Sequence, residues 1–460
     1  MTEQLKLKLN DSKATRWGAL VIVAFTMMAA YYVNDVVAPL KTMLETDLAW
    51  SSTDFGFFTG GYSFLNVFFL MLIWGGLILD RFGIRFTGKL ATILMVGGTA
   101  LEYYAMTGLA GADATLFGIN EIFGYKTGVF VAFAGYSIFG VGAEVAGITV
   151  SKIIAKWFKG KELATAMGVQ VALARIGSQA GYAVAIPLAR AFGISTPVLL
   201  GLVLLLGGMI AFFIFAVMDK KLDKQMEAAA IAAGTEDEEE KFSFKDVKNI
   251  LVNPGFWLIA LLCVLFYSCV FPFQKFASEL MIIKYGINEN VAGTFAGLPA
   301  LGALILTPVF GGFIDKRGKS ASIMLLGSAM LICVHFIYAI PDINYWLVAI
   351  VLMIILGIAF SLVPSAMWPA VAKIFPVSQL GTAYALIFFI QNIGLWGIPT
   401  LIGWVLDAYC ISGKKPDGTN MYDYTVPMCI FTGIACLSLI VALLLKKADK
   451  KYGYKLEEPN

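Results

Sequence analysis

Apolar runs long enough to cross a lipid bilayer recur along almost the whole chain. Because a helix rises about 1.5 Å per residue, roughly 20 apolar residues span the hydrocarbon core of a bilayer. The sequence predicts two sets of six such helices: 16–40, 53–79, 86–108, 127–157, 161–192 and 195–219, then 254–284, 289–314, 320–340, 344–374, 378–407 and 423–447. The expected fold is an all-α membrane protein with twelve transmembrane helices in two six-helix halves.

The composition supports a membrane location and excludes several other classes. Hydrophobic residues make up 59% of the 460 residues and charged residues only 14%, with a mean hydropathy of +0.79. A soluble fold of this size could not cover its surface with so little charge, so we expect a lipid bilayer around it. The net charge of +3 gives no basic surface for nucleic acid. Six scattered cysteines and one histidine, His335, predict neither a metal site nor a cofactor.

One long polar segment divides the chain. We predict an N-terminal tail at 1–15, a first half at 16–219, a linker at 220–253, a second half at 254–447 and a C-terminal tail at 448–460. The linker carries an acidic run from Glu236 to Glu240. We favour a solvated connection there, with a regulatory or partner site as the alternative.

The positions of the basic residues predict the orientation in the membrane. Lysines and arginines of short loops mark the cytoplasmic side of a membrane protein. With twelve spans, the basic loops fall on one face, and Lys414 and Lys415 are the main exceptions. Both chain termini are therefore expected in the cytoplasm. The basic residues on that face are Arg81, Arg85, Lys89, Lys156, Lys159, Lys161, Lys316, Arg317, Lys319, Lys446, Lys447, Lys450 and Lys451.

Two loops in equivalent positions resemble each other, namely GGLILDRFGIRFTGK at 75–89 and GGFIDKRGKSA at 311–321. Their glycines allow close approach, and their acidic residues can pair with a basic group in a latch that breaks during transport. A tight basic turn without a gating role is the alternative. The pattern resembles the signature loop of the major facilitator superfamily, here in two copies. The gating candidates are Gly76, Asp80, Arg81, Gly83, Arg85, Gly312, Asp315, Arg317 and Gly318.

A carboxylate and a guanidinium lie at similar depth in neighbouring apolar helices. Glu144 lies 16 residues before Gly160, and Arg175 lies 15 residues after it. Charged groups at membrane depth normally face a partner or a water-filled cavity. The two residues are therefore either a buried structural ion pair or the two ends of a clamp for a zwitterion. In the clamp, which we favour, Arg175 binds a carboxylate and Glu144 binds an ammonium group.

Several blocks are similar to one branch of that superfamily, the lysosomal dipeptide transporters and their bacterial relatives. They are KWFKGKELATAMGVQVALARIGS (156–178), YSCVFPFQKF (267–276), SAMWPAVAKIFPVSQLGTAY (365–384) and FFIQNIGL (388–395). The resemblance implies uniport of dipeptides, whose two ends are held by an acidic residue and an arginine at positions matching Glu144 and Arg175.

The chain also departs from the animal members of that branch. Its N-terminal tail has no dileucine sorting motif, and its single NxS/T site is Asn10-Asp11-Ser12. We therefore expect a monomer without an accessory subunit in a prokaryotic cytoplasmic (inner) membrane, with a lysosomal membrane as the alternative.

Other polar and aromatic residues within the predicted helices are further candidates for substrate contact. In the helix that Pro272 bends, Gln274 ranks above Lys275, whose long side chain can reach outward to the membrane surface. A repeat offset of 217 residues places Asn392 where Arg175 falls in the first half. These candidates are Tyr32, Asp35, Tyr62, Gln274, Trp368, Gln391 and Asn392.

Two other functions stay open. A proton-coupled symporter of peptides or organic anions would use Glu144 or Asp35 as the titrating group. A membrane sensor or scaffold without transport would use the acidic linker as its output. An enzyme is not expected, because the chain lacks HExxH, GxSxG and the phosphate-binding glycine motifs.

Overall fold

The computed structural model describes residues 8–111, 114–233 and 244–459 and consists mainly of long helices. The first half contains α1 Lys13–Val36, a 3-10 turn Ala38–Leu40, α2 Lys41–Leu48, α3 Ser52–Phe68, α4 Met71–Ala105, β1 Glu121–Ile122, β2 Tyr125–Lys126, α5 Thr127–Trp157, α6 Leu163–Phe192 and α7 Thr196–Ala233. The second half contains α8 Phe244–Val252, α9 Pro254–Tyr285, α10 Glu289–Ala296, α11 Leu298–Arg317, α12 Ser320–Ala339, α13 Trp346–Ile374, α14 Val377–Tyr409, β3 Ile411–Lys414, β4 Asn420–Tyr422 and α15 Thr425–Tyr452.

Most of the predicted spans are present as long helices, but fewer than twelve of the described helices meet the length and hydropathy expected of a complete span. Within the described residues, nine helices are long and apolar enough to cross a membrane, and ten if the bent pair α3 and α4 forms one span. The predicted span 53–79 is broken after Phe68, where the chain bends by 58°. Helix α4 contains a second break at Gly83, whose φ is 74°, so one continuous element holds parts of two predicted spans. The count of twelve stays a prediction.

The two faces of the bundle are distinguished by what they carry. Helix α1 begins and helix α15 ends at one of them, which we call the terminal face. The antiparallel hairpins β1–β2 and β3–β4 lie between helix ends at the opposite one, which we call the hairpin face. Chain direction therefore assigns both ends of each uninterrupted membrane-length helix to these two faces.

Glycines bring the halves together near the hairpin face. A Cβ atom on Gly56 of α3 would lie 2.4 Å from the Pro399 carbonyl oxygen of α14. A Cβ atom on Gly403 of α14 would lie 2.3 Å from the Ser52 carbonyl oxygen. Only glycine allows helix backbones to approach this closely. Backbone amides of Ser52 and Thr53 also donate to the Asp407 carboxylate across the two halves.

Candidate substrate cavity

A cavity of ≈ 600 Å³ lies between the two halves. Near the terminal face it is lined by exposed Ser151 and Val171, whereas Asn34 and Lys275 line it toward the hairpin face. The glycine contacts described above close the bundle on the hairpin side. The cavity therefore opens toward the terminal face.

Glu144 lies in the cavity wall, and its position follows from a close helix crossing. A Cβ atom on Gly140 would lie 2.0 Å from the Tyr62 carbonyl oxygen, so α3 and α5 are in backbone contact there. One helical turn later on α5, the Tyr62 hydroxyl donates to Glu144 Oε1 at 3.0 Å. Both side chains line the cavity.

Arg175 lines the same cavity from α6. Its guanidinium lies 4.8 Å from the ring centroid of Phe360 and 5.7 Å from that of Tyr31. Among the salt bridges of the described residues there is none that involves Arg175, and Glu144 is likewise unpaired with a basic side chain. The buried ion pair that the sequence left open is therefore not formed, and the two charged groups face one cavity separately.

Two further candidates from the second half lie in the cavity wall. Trp368 of α13 stacks on Phe388, with ring centroids 4.8 Å apart. Gln391 of α14 accepts a hydrogen bond from the Cys263 thiol at 3.3 Å. Together with Tyr62, Glu144 and Arg175, they give the cavity polar groups from both halves.

Four other candidates are absent from the cavity lining in this conformation, so their contact with substrate stays a prediction. The Tyr32 hydroxyl donates to the Pro197 carbonyl oxygen, and Gln274 donates to the Ala296 carbonyl oxygen. Asn392 donates to the Phe388 carbonyl oxygen of its own helix. Asp35 is absent from the cavity lining and pairs with Lys275. Adjacent side chains of a helix point about 100° apart, so a residue next to a cavity-lining residue can face away from the cavity.

Residues next to these candidates in the sequence line the cavity. Tyr31 and Asn34 line the cavity instead of Tyr32 and Asp35, and Lys275 lines it instead of Gln274. A usable signal existed on α9, because Tyr267, Phe271 and Lys275 follow one another at intervals of four residues. That spacing places all three on one helical face.

The first gating loop forms its contacts within its own half. Asp80 pairs with Lys152 of α5 at 3.1 Å, and Arg85 pairs with Asp223 of α7 at 2.7 Å. Gly83 has a φ of 74°, a backbone conformation that favours glycine. A Cβ atom on Gly76 would meet nothing within 4 Å, and Arg81 lies over the Phe82 ring at 5.5 Å. The loop therefore ties α4 to α5 and α7, and its gating role stays a prediction.

The second gating loop packs against the end of the chain. Gly318 has a φ of 66°, and a Cβ atom there would lie 2.3 Å from backbone atoms of Glu458. Arg317 lies over the Phe313 ring at 5.7 Å. Gly312 has open space around it, and Asp315 lies in the last turns of α11.

The predicted C-terminal tail is partly helical and ordered on this face. Helix α15 continues to Tyr452, and the amide of Lys319 donates to the Glu457 carbonyl oxygen at 3.1 Å. In the linker, α7 continues to Ala233 and α8 begins at Phe244. The acidic run from Glu236 to Glu240 lies outside the described residues.

Comparisons with known proteins identify relatives of the whole chain. The family model described as Major Facilitator Superfamily matches residues 20–399 and 276–457. The human (Homo sapiens) lysosomal dipeptide transporter MFSD1 is 29% identical over 457 residues, which cover 96% of this chain and 88% of that protein. The protein of the same name from Mus musculus is 28% identical over 455 residues, with 96% and 88% covered.

Solved transporter structures share the fold at low sequence identity. A crystal structure of the nucleoside transporter NupG gives a TM-score of 0.68 at 12% identity and covers 93% of this chain and 98% of that one. The inward open conformation of the xylose transporter XylE from E. coli gives 0.64 at 15% identity, with 94% and 96% covered. From the extent of the family match and this common fold, we conclude that the chain is a multi-pass membrane transporter that belongs to the major facilitator superfamily.

Proposed function

We propose that this transporter carries dipeptides across the membrane as a uniporter. The two halves rock about the central cavity and expose it alternately to either side. Glu144 binds the amino end of the peptide, and Arg175 binds its carboxyl end. The observation that carries the proposal is that both groups line one cavity without pairing with each other. A zwitterion of matching length supplies the counter-charge that each group lacks.

Chemistry and similarity support this substrate class together. The planar guanidinium of Arg175 binds a carboxylate through two parallel hydrogen bonds. Recognition of the backbone ends leaves the peptide side chains in the rest of the ≈ 600 Å³ cavity, so we expect broad selectivity. The relatives named as dipeptide transporters support the same class.

The sequence features support a location and orientation within the same proposal. With both termini in the cytoplasm, the cavity of this conformation opens to the cytoplasm and the hairpin face lies outside. We place the chain in a prokaryotic cytoplasmic membrane, as a monomer, with the lysosomal membrane as the alternative.

Counterflow of labelled dialanine into proteoliposomes tests the proposal. We expect uptake that other dipeptides compete for and that sugars and organic acids do not. Because Arg175 holds the carboxyl end, Arg175→Ala should lower uptake by at least tenfold, the loss that follows removal of a hydrogen bond to a charged group. Lys284→Met is the control, because in the part of the chain that the structure describes Lys284 donates to the carbonyl oxygens of Tyr338 and Ile340 alone, within its own half.

Unchanged uptake in Arg175→Ala would contradict the charge clamp. An arm with an imposed pH gradient separates uniport from the proton-coupled alternative, since only a symporter accumulates dialanine against its gradient. Binding of dialanine without any counterflow would instead favour the sensor.

A further inference from the structure

Lys275 forms a direct connection between the halves at the roof of the cavity, which is its end toward the hairpin face. It belongs to α9 of the second half, and among the described residues its ammonium group donates hydrogen bonds to residues of the first half alone. Nζ lies 3.1 Å from Asp35 Oδ1, 2.6 Å from the Asn34 carbonyl oxygen and 3.4 Å from the Tyr136 hydroxyl. The side chains of Lys275 and Asp35 are each 11% exposed. A charged pair this deeply buried holds two elements together only while both partners are present.

A continuous set of contacts leads from this connection to Glu144. The Tyr136 hydroxyl accepts from Lys275 and donates to the Asn34 carbonyl oxygen. The rings of Tyr136 and Tyr62 lie 5.7 Å apart, and the Tyr62 hydroxyl donates to Glu144. Because a carboxylate accepts several hydrogen bonds, an ammonium group binds Glu144 beside the Tyr62 hydroxyl and draws the carboxylate, together with Tyr62, toward the substrate. A shift of Tyr62 then also shifts the adjacent Tyr136, whose hydroxyl contacts both Lys275 and the Asn34 carbonyl oxygen.

We propose that Lys275 is the positioning residue that ties the cavity roof shut, and that substrate at Glu144 releases it. The second part rests on the proposed function, whereas the first follows from the roof contacts alone. Release lets α9 separate from α1 and α5, which is the motion that opens the hairpin face. Lys275 thereby sets the ratio of closed to open molecules.

Distances across the hairpin face measure this ratio directly. Phe123 in the first half and Tyr345 in the second are exposed there, and each can be replaced by a keto amino acid that carries a spin label. Pulsed dipolar spectroscopy on the labelled protein in nanodiscs then resolves a short distance for closed molecules and a long one for open molecules. The native cysteines stay in place, because the label reacts with the keto group only.

We expect the doubly labelled parent to be mainly closed, and dialanine to raise the open fraction. Lys275→Met should raise the ratio of open to closed molecules by about tenfold without ligand, because Asp35 loses its counter-charge. Added dialanine should then change that ratio little. The charge exchange Asp35→Lys with Lys275→Asp should restore the closed population. Lys284→Met, on the same helix, should match the parent.

Two results would overturn the first part of the proposal, that Lys275 ties the roof shut. One is a closed fraction in Lys275→Met equal to that of the parent, and the other is a charge exchange that behaves like the single variant. If dialanine leaves the parent distances unchanged while Lys275→Met still opens the hairpin face, the tie stands and the dipeptide substrate is withdrawn. If dialanine opens the parent and Lys275→Met equally, substrate does not act through Lys275, and the second part of the proposal is overturned.

Discussion

At the scale of single residues, Gly140 decides how closely α3 approaches α5 and thereby places Tyr62 beside Glu144. A Cβ atom on Gly140 would lie 2.0 Å from the Tyr62 carbonyl oxygen. We expect Gly140→Ala to cost about 1–3 kcal/mol in the free energy of unfolding, since backbone atoms must move apart. Thermal unfolding in detergent measures the loss. Gly97→Ala is the control, because its Cβ meets nothing within 4 Å, and equal stability of the two variants would contradict this account.

The site was predictable at this scale only in part. An ionisable residue in an apolar helix is informative by itself, so Glu144 and Arg175 could be selected from the sequence. Tyr32 and Gln274 lie one position away from residues that line the cavity, because near-continuous hydrophobicity hides which face of a membrane helix points inward. The Lys275–Asp35 contact joins residues 240 positions apart, and no local pattern indicates such a pair.

At the scale of elements, the hairpin β3–β4 and its turn account for one of the two lysines that depart from the predicted charge asymmetry. Lys415 lies 3.6 Å from both Glu45 and Glu279. Those two carboxylates also hold Lys41, with both Nζ–O distances at 2.5 Å. The four residues form a ring of alternating charge between the halves, at the face that should be poor in basic residues. Lys415 therefore has a structural partner there, whereas Lys414 contributes to a shallow pocket beside the ring.

Removing one carboxylate from this ring should weaken the closed hairpin face. The Glu279 side chain is 1% exposed and pairs with Lys41 and Lys415. Glu279→Gln removes one of their counter-charges and should lower the free energy of unfolding by about 3–5 kcal/mol. Glu289→Gln is the matched control, because the Glu289 pair with Arg190 also joins the halves but is 41% exposed and contributes about 0.2–1 kcal/mol. Thermal unfolding midpoints compare them, and similar losses would argue against the ring as a buried lock.

At the scale of the whole molecule, the alternation of conformations requires that the glycine contacts at the hairpin face separate. A Cβ atom on Gly403 would lie 2.3 Å from the Ser52 carbonyl oxygen. Gly403→Ala should therefore disfavour the closed face and raise the open fraction by about tenfold, with each half folded as before. The spin-label distance across the hairpin face measures it. Gly397→Ala on the same helix has open space at its Cβ, and an open fraction equal to that control would refute the steric account.

The two halves could be predicted because hydropathy and the repeated loops are local features of the chain. The face at which the cavity is open could not be predicted, because both conformations of a transporter share one sequence and differ only in contacts between distant residues. Gly56 and Gly403, for example, look like any glycines of an apolar helix until the two backbones are seen to touch.

The concentration of ties at one face also has a consequence for the surrounding lipid. A bundle that is fastened at the hairpin face and open at the terminal face occupies more area in one leaflet than in the other. When the halves rock, the larger cross-sectional area moves from one leaflet to the other. The packing stress of the two leaflets therefore shifts the balance between the two conformations, so lipids of different headgroup size should change the rate of exchange.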